Sequence, residues 1–241
     1  MTDNQYGIEL DSIEEAIADL QEGKPVILMD NPGREGEGDF ICSAEKISPE
    51  WMKVILDEAR GAFIAIFMPE GQANKFNLPE QIDRSQNLES SRTNFRLTVD
   101  TVFGHSGCSA AERAQTANIL GGTFRPYKTE ENNRPFNYGT DTPSERASVS
   151  EDLVRPGHIV PIVGHPEGLA KRQGHTETGI ELMKLAKIDP PVVVDMEVLD
   201  PDDAYKMGSP QFLRSLADKH DLKLISIGLV CEALGVEELS Y

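Results

Sequence analysis

The segment Val-Ile-Leu-Met-Asp-Asn-Pro-Gly-Arg-Glu-Gly-Glu-Gly-Asp at residues 26–39 joins an apolar run to a charged, glycine-rich stretch. The run at 26–29 shows no alternation of polar and apolar residues, which predicts a strand buried on both faces, followed by a loop. Upstream, Ser12 and Glu15 have the spacing of a capping box, and Gly23 follows a series of apolar residues at helical spacing. The first forty residues therefore predict a helix, a buried strand and a charged, glycine-rich loop.

The rest of the chain continues this alternation of helices and strands. The predicted helices begin after Ser48 and at Ser109 and cover 177–186 and 210–219, and the predicted strands cover 62–68, 95–100, 159–162, 192–198 and 222–227. This order predicts an α/β fold, a layered sandwich with a mixed sheet, in a single catalytic domain of residues 1–241. The proline-rich and glycine-containing residues 121–152 lack periodicity, and we expect a long surface insertion there.

Composition excludes several classes of partner. The formal net charge of −18 opposes binding to a phosphate backbone, so nucleic acid is not expected as a partner. The chain contains no run of about 18 apolar residues, so a membrane partner is not expected either. Three widely spaced cysteines do not form a disulfide framework, which favours a reducing cytoplasmic location.

Three short segments carry residue types that are suited to chemistry. Residues 34–39 place three carboxylates and one guanidinium within six positions, although a solvated acidic turn is an alternative interpretation. Residues 171–177 place basic residues, glycine and His175 before a predicted helix, whose free N–H groups favour an anion such as phosphate. Residues 155–158, Arg-Pro-Gly-His, hold a histidine in a turn.

These segments together resemble the 3,4-dihydroxy-2-butanone 4-phosphate synthases of riboflavin biosynthesis. REGEGD at 34–39 is similar to that family's RENEGD, SAAER at 109–113 to SAxDR, and RQGHTE at 172–177 to RxGHTE, while RPGH at 155–158 is identical. The four motifs occur in the same order over residues 8–235, which a chance match does not explain.

The resemblance implies a divalent-metal-dependent lyase that converts ribulose 5-phosphate to 3,4-dihydroxy-2-butanone 4-phosphate and formate. By this resemblance, Glu35 and His175 are the ligands of Mg²⁺ or Mn²⁺, and His158 and Glu197 transfer protons. The residues implied in substrate binding are Arg34, Glu35, Asp39, Arg172, Gln173, Gly174, His175 and Thr176. The resemblance also implies a homodimer with active sites at the subunit interface.

Several positions depart from the family pattern and leave alternatives open. An ungapped count from His175 places the family's strand glutamate at Met196, so Glu197 requires one inserted residue, and Asp195 competes for the same role on the same face. His105 and Ser106 stand where the family has two threonines. The alternative functions are a divergent metal-dependent enzyme that enolises another sugar phosphate and a non-catalytic sugar-phosphate-binding protein.

Overall fold

The computed structural model of the protein describes residues 2–3, 6–31, 33–89, 91–125 and 145–239. Seven α-helices occur in these ranges, and they are α1 Ile13–Gln21, α2 Pro49–Ala59, α3 Glu70–Lys75, α4 Ala110–Leu120, α5 His175–Leu185, α6 Pro210–His220 and α7 Ile227–Leu234. The strands in the same ranges are β1 Thr2–Asp3, β2 Ile8–Glu9, β3 Val26–Met29, β4 Gly38–Ser43, β5 Ile64–Met68, β6 Asn94–Phe95, β7 Val99–Thr101, β8 Thr123–Phe124, β9 Arg146–Ala147, β10 Leu153–Val163, β11 Val193–Glu197 and β12 Lys223–Ser226.

The central sheet has eight strands among the described residues and is mixed. Its order is β12-β3-β4-β11-β5-β10-β6, with β7 also paired to β10. The pairs β12–β3 and β5–β10 are parallel, and the other neighbouring pairs are antiparallel. The prediction of a mixed-sheet α/β sandwich is thereby confirmed.

Helices cover both faces of this sheet, because its central strands are apolar on both sides. On one face, Leu28, Ile41 and Val193 belong to a buried cluster that includes residues of α1, α5 and α7. On the opposite face, Phe40 and Val194 belong to a second cluster that includes residues of α2, α4 and α6. Two cores separated by one sheet define the three layers of the sandwich.

Local capping explains where several helices begin. Ser12 with Glu15 and Ser109 with Glu112 form the two predicted capping boxes at the starts of α1 and α4. At α2, the Ser48 side chain accepts a hydrogen bond from the Trp51 N–H. These side chains satisfy backbone N–H groups that have no partner within the helix.

Several elements were absent from the sequence prediction, among them the central strand β4 and the helices α3 and α7. Strand β4 is completely buried and contains the apolar run Phe40-Ile41-Cys42, a strand signal that lies directly behind the conspicuous charged loop. The prediction of one strand over 95–100 was wrong, since β6 ends at Phe95 and β7 begins at Val99. Between them, the Arg96 N–H bonds to the Pro161 carbonyl and the Leu97 N–H to the Pro79 carbonyl, so the backbone divides its hydrogen bonds between two neighbours.

The predicted insertion at 121–152 falls largely on residues 126–144, which lie outside the described residues. At its described ends, β8 pairs antiparallel with β9. The three cysteines are unpaired, as predicted. Within the described ranges, no helix has both the length and the apolar character needed to cross a membrane.

Candidate active site

The charged loop, two central strands and the start of α5 meet at one end of the sheet. In the β4–β11 ladder, Asp39 lies opposite Glu197 and Ile41 lies opposite Asp195. Because directly opposed residues point to the same face and side chains alternate along a strand, the three acids share the face that α5 covers. Tertiary pairing therefore joins carboxylates that are more than 150 positions apart in the sequence.

These groups line a cavity of about 230 Å³. Its polar wall contains most of the residues that the sequence motifs predicted, together with acids from both strands. The charged and polar lining residues are Arg34, Glu35, Glu37, Asp39, Glu89, Ser91, Thr93, Arg172, His175, Thr176, Asp195 and Glu197, and the apolar ones are Phe63, Ala65, Phe67, Phe95 and Ile162.

His175, the first residue of α5, is held in a defined orientation at the cavity wall. Its Nε2 lies 3.2 Å from the Leu28 carbonyl oxygen, which can only accept a hydrogen bond, so Nε2 carries the proton. Burial lowers the pKa of His175 to about 4, so the ring is neutral and its Nδ1 has a free lone pair. Nδ1 lies 3.2 Å from Oδ2 of Asp39. A neutral imidazole fixed through its second nitrogen is the usual arrangement of a metal-ligating histidine.

Asp39 and Asp195 form a buried carboxyl pair at the base of the cavity. Burial first, and then the mutual repulsion of the carboxylates, raises the pKa of Asp39 well above its ordinary value, and burial also raises that of Asp195. The Oδ1 atoms of both residues are buried and accept no hydrogen bond from any described residue. Two orphaned carboxyl oxygens beside a neutral histidine are a site that favours a bound cation.

Glu37 and Glu197 also line the cavity, and their pKa values are raised as well. Burial, followed by the charges of Glu197 and Glu35, raises the pKa of Glu37 to about 7. Burial and the Glu35 carboxylate raise the pKa of Glu197. Perturbed carboxyl pKa values concentrated in one cleft are typical of catalytic or metal-binding sites.

Asp30 shapes the charged loop that forms the cavity rim. Its buried Oδ2 accepts hydrogen bonds from Nη1 of Arg34 at 2.8 Å and from the backbone N–H of Glu35 at 3.1 Å. Nη1 of Arg34 also lies 2.7 Å from Oε2 of Glu35. Gly36, with φ of +68°, supplies the left-handed conformation that returns the chain to β4.

Two arginines converge on the N-terminus of α5. A Cβ added to Gly174, the residue preceding the helix, would lie 2.8 Å from Nη1 of Arg172 and 3.3 Å from Nη2 of Arg34. Arg172 also pairs with the buried Glu177 at 2.7 Å. Two guanidinium groups beside the free N–H groups of a helix start form a site that suits a phosphate.

His158 lies apart from this cavity. It is on β10, where the Arg155-Pro156-Gly157-His158 motif coincides with a shift of register against β7. Its Nδ1 contacts Oδ2 of the buried Asp100 at 2.6 Å, while about half of its side chain is exposed. Ile162, which does line the cavity, is four residues further along the strand, or roughly 13 Å at the usual rise per residue.

The cavity thus brings together Arg34, Glu35, Asp39, Arg172, His175, Thr176 and Glu197 from the predicted set, with Gly174 at its edge. Gln173 directs its side-chain amide to the backbone of residues 237 and 239. Asp30 and Glu37, which the sequence motifs did not assign to the site, also contribute to it. Two groups of side chains have ligand atoms within 4.8 Å of one another, namely Asp30 with Glu35 and His175, and Glu37 with Asp39 and His175. The acid-rich loop was the available signal for both missed residues.

Comparisons with known proteins agree with this geometry. The riboflavin biosynthesis protein RibBA of Phocaeicola vulgatus is 37% identical over 221 residues, which are 91% of this chain and 48% of the relative. The probable bifunctional protein RIBA 1 of Oryza sativa subsp. japonica is 36% identical over 217 residues, or 90% of this chain and 36% of the relative. The chain therefore spans about half the length, or less, of these curated relatives.

Solved structures share the fold along nearly the whole chain. The 3,4-dihydroxy-2-butanone 4-phosphate synthase of Candida albicans aligns with a TM-score of 0.73 and 29% identity, covering 94% of this chain and 99% of that one. The two-domain synthase RibBX of A. baumannii aligns with a TM-score of 0.76 and 29% identity, covering 95% of this chain and 60% of that one. The family model for 3,4-dihydroxy-2-butanone 4-phosphate synthase matches residues 14–233. The chain therefore belongs to the 3,4-dihydroxy-2-butanone 4-phosphate synthase family.

Proposed function

We propose that this chain is a divalent-metal-dependent lyase that converts D-ribulose 5-phosphate to 3,4-dihydroxy-2-butanone 4-phosphate and formate. The observation that carries the proposal is the cavity in which a neutral histidine and clustered carboxyl groups adjoin two arginines at a helix N-terminus. The atoms of the substrate equal those of the two products, so the reaction needs no oxidant or other co-reactant.

The residues of the cavity fit a divalent cation. Oδ1 of Asp39 and Oδ1 of Asp195 have no hydrogen-bond partner among the described residues, and the pKa values of both carboxyl groups are raised. Both features indicate that the carboxylates lack a neighbouring positive charge. Glu35 and His175 are the proposed ligands of Mg²⁺ or Mn²⁺, with Asp30, Glu37 and Asp39 close enough to His175 to take part. When bound, the ion stabilises negative charge on adjacent substrate oxygens.

The two arginines have a separate role at the phosphate end of the substrate. Arg172 and Arg34 both lie beside Gly174, where the backbone N–H groups of the α5 start can face an anion. The resident ion pairs of Arg34 with Asp30 and of Arg172 with Glu177 hold the guanidinium groups in place before substrate arrives. Such preorganisation reduces the ordering cost of binding.

Proton transfer is assigned to Glu197 and His158. The raised pKa of Glu197 lets its carboxyl group hold a proton nearer neutral pH than an exposed glutamate does. Asp100 fixes the His158 ring through Nδ1, which leaves Nε2 to exchange a proton with substrate. Because His158 is outside the cavity of its own chain, we assign it to the cavity of a second copy in a homodimer.

The test is incubation of the purified full chain with ribulose 5-phosphate and either Mg²⁺ or Mn²⁺, with formate and the four-carbon phosphate measured together. Equal amounts of both products are expected. Glu35→Gln and His175→Ala should each abolish turnover while leaving a cooperative unfolding transition, because each removes a proposed metal ligand. Full turnover in excess chelator contradicts the metal assignment. A rearranged sugar phosphate without formate would instead support an enzyme that enolises another substrate.

A further inference from the structure

The side-chain amide of Gln173 is bonded to the C-terminal tail, which we define as residues 236–239. Its Nε2 donates to the Glu237 carbonyl at 2.8 Å, and its Oε1 accepts from the Leu239 N–H at 2.9 Å. Gln173 is 3% exposed, whereas residues 237 and 239 are exposed, so both bonds are partly buried. Because both partners are backbone groups, this attachment depends on the path of the tail and not on its side chains.

The start of the tail is fixed independently of Gln173. Gly235 ends α7 in the left-handed conformation, with φ of +66°, and the Val236 N–H then bonds to the Cys231 carbonyl at 2.9 Å. Leu234 and Val236 pack against the core beneath α5 and α7. A tail that is anchored at its first residue gives Gln173 a fixed point to bond to.

On its other side, Gln173 belongs to the loop that brings the phosphate and metal residues to the cavity. Arg172 precedes it, and Gly174 and His175 follow it at the start of α5. The loop also bonds to the turn at 168, where the Arg172 N–H donates to the Gly168 carbonyl at 3.1 Å. A displacement of Gln173 by about 1 Å would move both neighbours, and misplacement on that scale is costly to substrate binding and catalysis.

We propose that Gln173 is a positioning residue through which the C-terminal tail holds Arg172 and His175 in their working places. The inference rests on the function proposed above for this cavity. The tail also forms one wall of the wider cleft beside the site, because Val236 and Leu239 line that cleft together with Arg34 and Arg172. The tail is thus part of the substrate-binding structure although it contributes no side chain to the chemistry.

Two changes remove the hydrogen bonds between Gln173 and the tail. Gln173→Ala removes the side chain, and a chain that ends at Val236 removes its backbone partners. Each should raise the KM for ribulose 5-phosphate about tenfold, since each removes two partly buried hydrogen bonds, and should also lower kcat, because His175 is displaced together with Arg172. The combined variant should be no worse than the truncated chain, because the contact between Gln173 and the tail is already lost there.

Two control variants separate positioning from general loss of stability. A chain that ends at Leu239 keeps both backbone groups that Gln173 contacts. Gln72→Ala removes a buried side-chain hydrogen bond of 2.6 Å to the Leu120 carbonyl, and Gln72 is not among the residues that line the cavity. Both controls should retain the parental KM, and Gln72→Ala should lower Tm. An equal rise of KM in Gln72→Ala would show that stability, not the tail, sets substrate affinity.

A second readout does not depend on turnover. Hydrogen exchange of the amides at residues 172–176 should be about tenfold faster in Gln173→Ala and in the chain ending at Val236, and unchanged in both controls. Mn²⁺ should also bind the two variants more weakly than the parent. Parental exchange and Mn²⁺ affinity in both variants, or additive losses in the combined one, would overturn the inference. If the parent itself forms no formate, the proposed function fails, and the exchange and Mn²⁺ results still decide the role of Gln173.

Discussion

The assignment of the proton-transfer carboxyl to Glu197 rather than Asp195 gives a sharp test of the site. Both residues are on β11 and line the cavity, but their surroundings differ. Asp195 is 4% exposed and faces Asp39, whereas Glu197 is only partly buried and faces Glu37 and the loop. A group that exchanges protons with substrate needs the more accessible position, so we expect Glu197 to act on substrate and Asp195 to support Asp39.

The structure sets the expected size of each effect. Glu197→Gln preserves shape but removes the ionisable group, so turnover should fall by roughly the 10²–10⁴-fold that general acid–base catalysis contributes. Asp195→Asn retains a polar group of the same size that can donate to Asp39, so its loss of turnover should be about tenfold or less, as for one altered hydrogen bond. Metal and phosphate binding should persist in Glu197→Gln.

Loss of folding should not contribute to the fall in turnover of Glu197→Gln, because the pKa of Glu197 is raised in the folded chain. The pKa of Glu197 is higher in the folded chain than its ordinary value, so above that value the ionised carboxylate opposes folding. Replacement by glutamine removes this cost, and the metal-free variant at pH 8 should have a Tm at or above that of the parent.

The assay is a side-by-side measurement of formate release by the two variants at saturating substrate and metal, with Tm recorded for each. An inactive Asp195→Asn together with near-parental turnover of Glu197→Gln would refute the assignment. The shorter and more deeply buried carboxyl of Asp195 would then be the proton-transfer group. The catalytic position on β11 would lie two residues before the one inferred from the motif.

Three further predictions follow from the same geometry. Arg172→Ala should raise the KM for ribulose 5-phosphate at least about tenfold, because a charge-assisted phosphate contact contributes about 1.5–3 kcal/mol. Replacement of the exposed Lys171 by alanine should leave the KM unchanged. Equal KM values in both variants would place the phosphate elsewhere. The pKa of Glu37 is raised to about 7 from 4.5, so the folded metal-free protein binds this proton more tightly and loses stability as pH rises through that interval. Thermal unfolding across this range should therefore show Glu37→Gln gaining stability over the parent as pH increases, and a constant difference would contradict the shift. Mixing the inactive variants His158→Ala and Glu197→Gln should restore roughly a quarter of parental activity after subunit exchange, because half of the dimers are mixed and each mixed dimer has one intact site of two. No recovery of activity, although the subunits exchange, would argue against a site shared between subunits.

The features that could be predicted from the sequence are those that depend on residues close together along the chain. Helix starts at Ser12, Ser48 and Ser109 depend on side chains that reach only three residues along the chain, and all three are observed. The apolar run at 26–29 likewise determines a buried strand without reference to any other segment. The motif at 172–177 already predicted that His175 stands at a helix start beside an arginine.

Long-range pairing decided the rest. Strand β4 was missed because its neighbour in the sequence is a charged loop, and only pairing with β3 and β11 shows that it is central. The same pairing places Asp39 opposite Glu197 and beside Asp195, which raises the pKa values of carboxyls that no local pattern distinguishes from surface acids. The sequence by itself determined the local elements and the identity of the motif residues, because those depend on neighbours along the chain. The tertiary structure alone decided which acids share one desolvated cavity, which tail bonds to Gln173, and that His158 stands apart, because desolvation and charge repulsion depend on distance in space.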